Sequence, residues 1–185
     1  MKIVSFWDEK GGCGKSTLAF MLAGAAAAKG LSVLLVDDDP QGTCYMLSLD
    51  NNIDFKVCMG WPDEPPENTD LVIVDMAPNT NDIPAGIVIL PYQPTRVSYS
   101  VAAKHFPKLK EQSERLIEVI TMADIRIRDH KDFCLTNKAL KVASRSVYQR
   151  ATNNGTTIFS PMMENVSGCR QARKEIKALL TEVLK

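Results

Sequence analysis

The feature that most constrains how this chain can fold is a glycine-rich run, KGGCGKST at residues 10–17, flanked by two apolar segments. The segment before it, KIVSFW at residues 2–7, has the apolar character of a buried strand. The segment after it is rich in alanine and predicts a helix from about Lys15 to Lys29, with Gly30 at the position of a C-terminal cap. A strand, a glycine-rich turn and a helix in this order predict a loop whose backbone N–H groups converge on phosphate oxygens.

Within this run, the end of the P-loop motif GxxxxGK[ST] is intact. Aligned on Lys15, the motif lacks its first glycine, because Asp8 or Glu9 occupies that place. Lys15 is expected to supply a positive charge to the β- and γ-phosphates of a nucleotide, and the Ser16 hydroxyl to complete the shell of a Mg²⁺ ion. The alternative is a glycine-rich turn without a ligand, which the GKST sequence after a strand disfavours.

Carboxylates follow two of the other predicted strands. LLVDDDPQG at residues 34–42 places three of them at the end of a buried strand, and LVIVD ends at Asp75 in the Walker B form. Alternation along the strand places Asp37 and Asp39 on one face and Asp38 on the other. Because ligands of open α/β sheets bind outside the carboxyl ends of the strands, Asp37, Asp39 and Asp75 are predicted to serve the metal ion and the attacking water. Capping of a turn is the alternative, and it suits Asp38 best.

Apolar runs and helical stretches alternate along the chain, which predicts an α/β fold with a mostly parallel sheet. We expect a single-domain P-loop NTPase over residues 1–185, with a twisted sheet and helices on both of its faces. Strands are predicted at residues 2–7, 32–37, 55–61, 71–75, 86–91, 132–137 and 156–159. Helices are predicted at about residues 15–29, up to residue 49, and at 97–122, 139–152 and 168–184, with a kink or break at Pro107.

The composition is that of an ordinary soluble protein, with 45% hydrophobic and 24% charged residues and no net charge. Residues 1–120 carry 10 Lys and Arg against 16 Asp and Glu, whereas residues 121–185 carry 12 against 6. Such asymmetry indicates a surface for nucleic acid or another acidic partner, although solvated helix faces also produce it. The five cysteines show no CxxC spacing, which favours a reduced, cytoplasmic protein over a disulfide or zinc framework.

Three motifs together resemble the ParA-type partition ATPases, which belong with the MinD cell-division ATPases to the deviant Walker A group. They are KGGxGKST at residues 10–17, DxDPQG at residues 37–42 and VIVDMAP at residues 72–78. VILPYQP at residues 88–94 and CLTN at residues 134–137 resemble later segments of the same family. The resemblance therefore runs through most of the chain.

The resemblance implies roles for individual residues. Lys10 would be the signature lysine, which reaches across a dimer interface to the phosphates of the partner's ATP, so that hydrolysis depends on dimerisation as it does with an arginine finger. Asp39 would orient the attacking water, and Lys10, Lys15 and Asp39 would form the catalytic set. The implied ATP or ADP contacts are Gly11, Gly12, Cys13, Gly14, Lys15, Ser16 and Thr17 at the phosphates, with Pro91, Pro94 and Asn137 near adenine. The implied Mg²⁺ site consists of Ser16, Asp37 and Asp75.

Some features depart from the family pattern. Cys13 stands where a small or β-branched residue is more usual, and the region between residues 43 and 70 is short. The segment FSPMMENVSGC at residues 159–169 is a compressed counterpart of the family's adenine loop. We expect no N-terminal helix–turn–helix extension and therefore no binding to a specific operator.

The expected function is that of a Mg²⁺-dependent ATPase with slow turnover, which positions or segregates a cargo such as plasmid or chromosomal DNA. It would form an ATP-dependent homodimer, bind DNA without sequence preference at the nucleoid, and leave it after hydrolysis stimulated by a ParB-like protein or cargo adaptor. Phosphate contacts need only Lys and Arg on one face. The candidate DNA-binding residues are Lys141, Arg145, Arg150, Arg170, Arg173 and Lys174.

Two alternatives stay open at this point. A membrane-surface ATPase resembling MinD would use an amphipathic C-terminal helix, and EIKALLTEVLK at residues 175–185 is amphipathic. Glu175, Glu182 and the absence of aromatic anchors from this segment favour packing on the sheet and no stable membrane insertion. An electron-transfer relative such as the nitrogenase iron protein would need a pair of cluster cysteines, which the cysteine positions do not offer.

Overall fold

The computed structural model describes residues 1–78, 83–84 and 86–185. Its strands are β1 (Lys2–Phe6), β2 (Val33–Asp38), β3 (Lys56–Met59), β4 (Leu71–Met76), β5 (Ile87–Tyr92), β6 (Arg115–Ala123) and β7 (Leu140–Ala143). Its helices are α1 (Lys15–Ala27), α2 (Thr43–Ser48), α3 (Arg96–Gln112), α4 (Arg128–Thr136), α5 (Ser146–Thr152) and α6 (Cys169–Leu184). Within the described ranges the strands form one parallel sheet of seven, in the order β3-β2-β4-β1-β5-β6-β7.

Helices cover both faces of the sheet. On one face, α1, α5 and α6 bury side chains such as Phe20 and Ile176 against a large apolar core. On the other face, α3 and α4 pack over a second core that contains Leu109. Neighbouring residues of β2 divide between the two, since Leu35 belongs to the first core and Leu34 to the second. Burial on both faces explains why the strands are continuous apolar runs, and the predicted fold is confirmed.

The position of β1 creates the place for a ligand. β1 lies between β4 and β5, so the chain builds one half of the sheet through β2–β4 and the other through β5–β7. The loops that follow the strands diverge at such a switch point and leave a crevice at the carboxyl ends of the strands. The glycine-rich loop follows β1 and therefore lies in this crevice.

The predicted helix over residues 97–122 is wrong in its second half. Helix α3 ends at Gln112, because Ser113 adopts an extended conformation with ψ of 154°. The following run RLIEVITMA forms β6 and pairs with β5 in parallel. Its β-branched residues suit a buried strand, and a stretch of this length can hold both a helix and a strand.

The assignments that follow β6 are shifted along the chain. Residues 132–137, predicted as a strand, form the end of α4 and its cap, and the predicted helix over 139–152 contains β7 and α5 instead. Adjacent parallel strands need a crossover, which α4 provides between β6 and β7. The predicted strand at residues 156–159 is also wrong, because this segment is a series of turns. No helix of the described chain has the length and apolar character needed to cross a membrane.

Candidate nucleotide-binding site

The loop between β1 and α1 depends on two glycines with left-handed backbone conformations. The φ angle is +83° at Gly12 and +88° at Gly14, values that other residues rarely adopt. A Cβ on Gly14 would also lie 3.3 Å from Cε of Met122. Helix α1 begins at Lys15, and no side chain caps its N-terminus. Its first N–H groups and the positive end of its dipole therefore face the crevice, where an anion is favoured.

The two lysines of the loop occupy different environments. Lys15 is only 6% exposed, and its Nζ donates to the backbone oxygen of Lys10 at 3.4 Å. Lys10 itself is exposed to solvent. A buried ammonium group with one carbonyl partner is stabilised further by an anion in the loop. Lys15 thus lies within the loop, whereas Lys10 faces solvent, and the roles of both toward phosphate stay predictions.

Asp37 and Asp75 lie side by side at the carboxyl ends of β2 and β4, where they are register partners. Both residues are fully buried. Asp37 Oδ2 accepts a hydrogen bond from the backbone N–H of Tyr45 at 2.9 Å, and Asp75 Oδ2 accepts one from the thiol of Cys44 at 3.5 Å. Oδ1 of Asp75 has no hydrogen-bond partner within the described parts of the chain. Two buried acids side by side, one with an unpaired oxygen, favour a nearby cation.

The chemistry of this pair fits Mg²⁺. Burial raises the pKa of Asp75 to about 6, and the charge of Asp37 adds to the rise, while hydrogen bonds from Ser16 and Cys44 oppose it. No cluster of three or more His, Cys, Asp or Glu side chains is arranged as a metal site in the described residues. A Mg²⁺ ion here would take its ligands from Ser16, waters and phosphate oxygens, with the two carboxylates holding that shell.

The three consecutive aspartates at the end of β2 differ in exposure. Asp37 is buried, Asp38 is exposed, and Asp39 is half-buried in the turn that follows. The N–H of Asp39 donates to Asp37 Oδ1 at 3.3 Å, and Asp39 Oδ1 accepts the N–H of Gln41 at 2.9 Å. These bonds hold Asp39 beside the buried pair. Its role toward water stays a prediction.

A cavity of about 300 Å³, which the sequence did not predict, lies beside the loop. Gly14 and Thr17 form one side of it, and the ends of β6 and β7 form the other. Thr121 ties the two sides together, because its hydroxyl donates to the backbone oxygen of Cys13 at 2.8 Å. The rest of the lining consists of Leu18, Met122, Val142, Ala143, Ser144, Arg145, Tyr148, Gln149 and Thr152. A largely apolar wall next to a phosphate loop suits a planar base.

The residues predicted near adenine are spread over different places. Pro91 lies within β5, and Pro94 is buried two residues beyond its end. Between them, Gln93 Nε2 donates to the backbone oxygen of Gly12 at 3.3 Å, so this segment adjoins the loop. Asn137 instead caps α4, and its Nδ2 lies 3.4 Å from the hydroxyl of Tyr92. Neither proline lines the cavity, and Asn137 does not line it either. The strand predicted around Asn137 is therefore wrong, whereas the contacts of Pro91, Pro94 and Asn137 with adenine stay a prediction.

The candidate DNA-binding residues fall into two groups. Arg145 forms an ion pair with Glu175, and Arg173 donates to the backbone oxygens of Ile158 and Ser160 at 2.6 and 3.1 Å. These two side chains therefore stabilise the fold. The other four are exposed, although Lys141 also donates to two backbone oxygens of its own segment. The exposed group is Lys141, Arg150, Arg170 and Lys174.

The geometry agrees with comparisons to known proteins. The family model described as the CobQ/CobB/MinD/ParA nucleotide binding domain matches residues 4–182. The chain belongs to this family. The resemblance to ParA and MinD ATPases seen in the motifs is thereby confirmed.

Individual relatives extend this result. A segment of 44 residues is 48% identical to the chromosome partitioning protein ParA of Caulobacter vibrioides, and it covers 24% of this chain and 16% of that protein. The MinD cell division protein of Aquifex aeolicus superposes with a TM-score of 0.72 at 17% identity, over 98% of both chains. A plasmid partition protein of Borrelia burgdorferi bound to AMPPNP gives 0.66 at 18% identity, over 99% of this chain and 98% of that one. At such identities the two structures show a shared fold.

Proposed function

We propose that this chain is an ATPase that dimerises on ATP and positions or segregates a cargo, with plasmid or chromosomal DNA as the first candidate. The observation that carries the proposal is the pair of loop lysines, one buried and one exposed, beside two buried carboxylates. Membership of the nucleotide-binding family and the AMPPNP in the Borrelia relative support ATP as the ligand.

Within one protomer, the loop N–H groups and Lys15 bind the β- and γ-phosphates, and Thr17 contacts the α-phosphate. Ser16, with Asp37 and Asp75 behind it, would hold Mg²⁺, which when bound neutralises the charge that develops on the phosphates. Asp39 orients the water that attacks the γ-phosphorus, and the products are ADP and phosphate. Asp39 suits this role because it lies beside the metal-facing pair yet is not fully buried.

Gly11 supports a partner that approaches the loop from outside. A Cβ added to Gly11 or Gly12 would meet no atom within 4 Å, so packing within the protomer does not require glycine at either position. The φ of +83° at Gly12 explains why glycine stands at that position, but Gly11 has no such positive φ. A second protomer that closes over the loop explains Gly11, and it would bring its own Lys10 to the phosphates.

The test compares three variants. Lys15→Ala should lose binding of AMPPNP, because it removes the main phosphate charge. Lys10→Ala and Gly11→Val should bind AMPPNP as monomers but lose the ATP-dependent dimer in light scattering, and with it hydrolysis. A normal dimer in both of the latter variants would refute the role in trans, and unchanged AMPPNP affinity of Lys15→Ala would refute the nucleotide site itself.

DNA binding at the nucleoid belongs to the same proposal and uses Arg150, Arg170 and Lys174 of the exposed basic group. Affinity for duplex DNA should require ATP, ignore sequence and fall steeply with salt. Replacing Arg150, Arg170 and Lys174 with alanine should weaken binding on all sequences and reduce the salt slope by about one unit per contact. Wild-type DNA affinity of the triple variant, with its ATP dimer intact, would contradict this surface.

A membrane-surface ATPase is the second candidate, favoured by the fold shared with MinD. The packing of α6 argues against a membrane-surface role, because the apolar side chains of this helix already lie in the protein core. Ile176, Leu179 and Val183 are fully buried in the core that covers α1, so this helix would have to leave the fold to bind lipid. Co-sedimentation with anionic vesicles or with duplex DNA, each with and without ATP, separates the two candidates.

A further inference from the structure

The β3 end of the sheet is acidic and partly apolar at its surface. Residues 50–70 contain six Asp or Glu and one Lys, all exposed, although the chain as a whole is neutral. Directly after β3, Trp61 is 52% exposed, and Asp63 and Glu64 that follow it are exposed as well. Met59, the last residue of β3, is 46% exposed. We call these four residues the acidic end.

The β7 end of the sheet is basic and also partly apolar. A surface depression there is lined by Ile125, Lys131, Cys134, Leu135 and Lys141. Leu135 is 74% exposed and Ile125 69%, and Lys138, in the turn between α4 and β7, lies close to the depression in sequence. We call the depression together with Lys138 the basic end.

The two ends cannot meet within one protomer. They lie at opposite edges of a sheet whose order runs from β3 to β7. Six strand spacings of about 4.8 Å separate the edges by about 29 Å, well beyond the screening length of about 8 Å in physiological salt. Any contact between the acidic end and the basic end is therefore made between two copies of the chain.

We propose that the acidic end of one copy docks on the basic end of a second copy. Trp61 fills the depression between Ile125 and Leu135, while Asp63 and Glu64 face Lys131 and Lys138. A protruding aromatic ring, a shallow apolar depression and opposite charges around each are the elements of a specific interface. Both halves of this match occur on the same chain, which is why the partner is another copy.

The contact is head-to-tail, because it joins two different surfaces of the same molecule. A surface that matches a different surface of the same molecule generates an open chain of copies unless the rotation between them closes a ring. The contact is lateral because β3 and β7 are the outer strands of the sheet. The acidic end follows the carboxyl end of β3, at the same edge as the nucleotide loop but three strand positions away from β1. The lateral contact requires no nucleotide, which separates it from the ATP-dependent dimer across the loop.

Duplex DNA is the other class of ligand for a basic surface. Phosphate contacts use Lys and Arg alone, whereas the depression also presents Ile125 and Leu135 to solvent. DNA also leaves the exposed Trp61 and the acidic residues beside it without a role. DNA binding is therefore measured on the same variants, and its result decides whether the basic end binds DNA or a second copy.

The first experiment is sedimentation velocity of the full chain in EDTA without nucleotide, as a function of protein concentration. Association should weaken by at least about tenfold as salt rises from about 0.01 M to about 1 M, because the screening length falls from about 30 Å to about 3 Å. Trp61→Ala should weaken it by at least about tenfold, the loss expected for a central aromatic residue. A wild-type protein that stays monomeric at low salt would overturn the proposal.

The second experiment exchanges the charges. Asp63→Lys/Glu64→Lys and Lys131→Glu/Lys138→Glu should each abolish self-association, and an equimolar mixture of the two double variants should restore it. Glu111→Lys/Glu114→Lys on the α3 side, with the same change in charge, is the matched control and should associate as the wild type does. Failure of the mixture to associate would refute the docking.

The outcomes also separate this contact from other interactions. Loss of DNA binding by Lys131→Glu/Lys138→Glu with self-association unchanged would assign the basic end to DNA and overturn the proposal. Lys10→Ala, which tests the ATP dimer, should retain the lateral association in full. The lateral contact and the proposed function can thus fail independently.

Discussion

Replacing Asp75 with asparagine is expected to stabilise the nucleotide-free protein at neutral pH while removing its response to Mg²⁺ and ATP. The pKa of Asp75 is raised from 3.8 to about 6 by burial, with Asp37 as its charged neighbour. One pKa unit corresponds to about 1.4 kcal/mol, so the ionised carboxylate costs the folded state about 3 kcal/mol. Asparagine has a similar shape and no charge, and it avoids that cost.

The sign of the pH dependence follows from linkage. The folded protein binds a proton at Asp75 more tightly than the unfolded chain does, so stability falls as the pH rises from about 4 to about 6. The cost is absent below this window and complete above it. The difference in unfolding free energy between Asp75→Asn and the wild type should therefore grow by about 3 kcal/mol across the window.

Urea unfolding of both proteins in EDTA, at several pH values across this window, measures that difference. The contributions of groups that titrate equally in both proteins cancel in this difference of unfolding free energies. A difference that stays constant with pH would refute the reasoning. Addition of Mg²⁺ and AMPPNP should raise the unfolding midpoint of the wild type but not that of Asp75→Asn. The same carboxylate would then destabilise the nucleotide-free fold and be required for binding of Mg²⁺ and nucleotide.

Three further predictions concern other parts of the molecule. Asp39→Ala should bind ATP and dimerise like the wild type but lose hydrolysis, as measured by phosphate release. Gly24→Ala should lower the unfolding free energy by about 1–3 kcal/mol, because its Cβ would lie 2.6 Å from Cγ2 of Thr157, and a Thr157→Gly background should reduce that loss in urea unfolding. Glu175→Ala should cost about 1–3 kcal/mol in thermal melts, since it leaves both Arg145 and the N–H of Ala143 without their partner.

The first half of the fold follows from the sequence because its signals are local. The apolar runs at β2, β4 and β5 are buried on both faces, and each is bounded by a charged residue, a proline or a glycine. The strand ends can therefore be read from the residue pattern alone, and the carboxylates at two of them are assigned to the ligand-binding edge of the sheet. Asp37 and Asp75 indeed lie together at that edge.

The region after residue 112 cannot be assigned in this way, because tertiary contacts decide it. Glu118 interrupts the apolar run of β6 and suggests a helix, but its carboxylate accepts a hydrogen bond from the Tyr92 hydroxyl at 3.1 Å. Phe133 and Cys134 are apolar residues that favoured a strand in the sequence, but they lie in helix α4 and pack against the second core. The cavity beside the loop escapes prediction for the same reason, since it depends on where β6 and β7 end. One general rule does apply to this region: parallel neighbours always require a crossover between them.

The packing of α6 against α1 affects how the protein folds during its synthesis on the ribosome. Helix α1 carries the phosphate loop at its N-terminus, and the core that covers it includes Ile176 and Leu179 of α6. Strands β2–β7 are all synthesised between these two helices. Because synthesis adds about 5–20 residues per second, on the order of ten seconds pass between the synthesis of α1 and that of α6. Until then the nascent chain exposes an apolar, alanine-rich surface, and the core that supports the helix behind the phosphate loop is complete only after α6 has been synthesised.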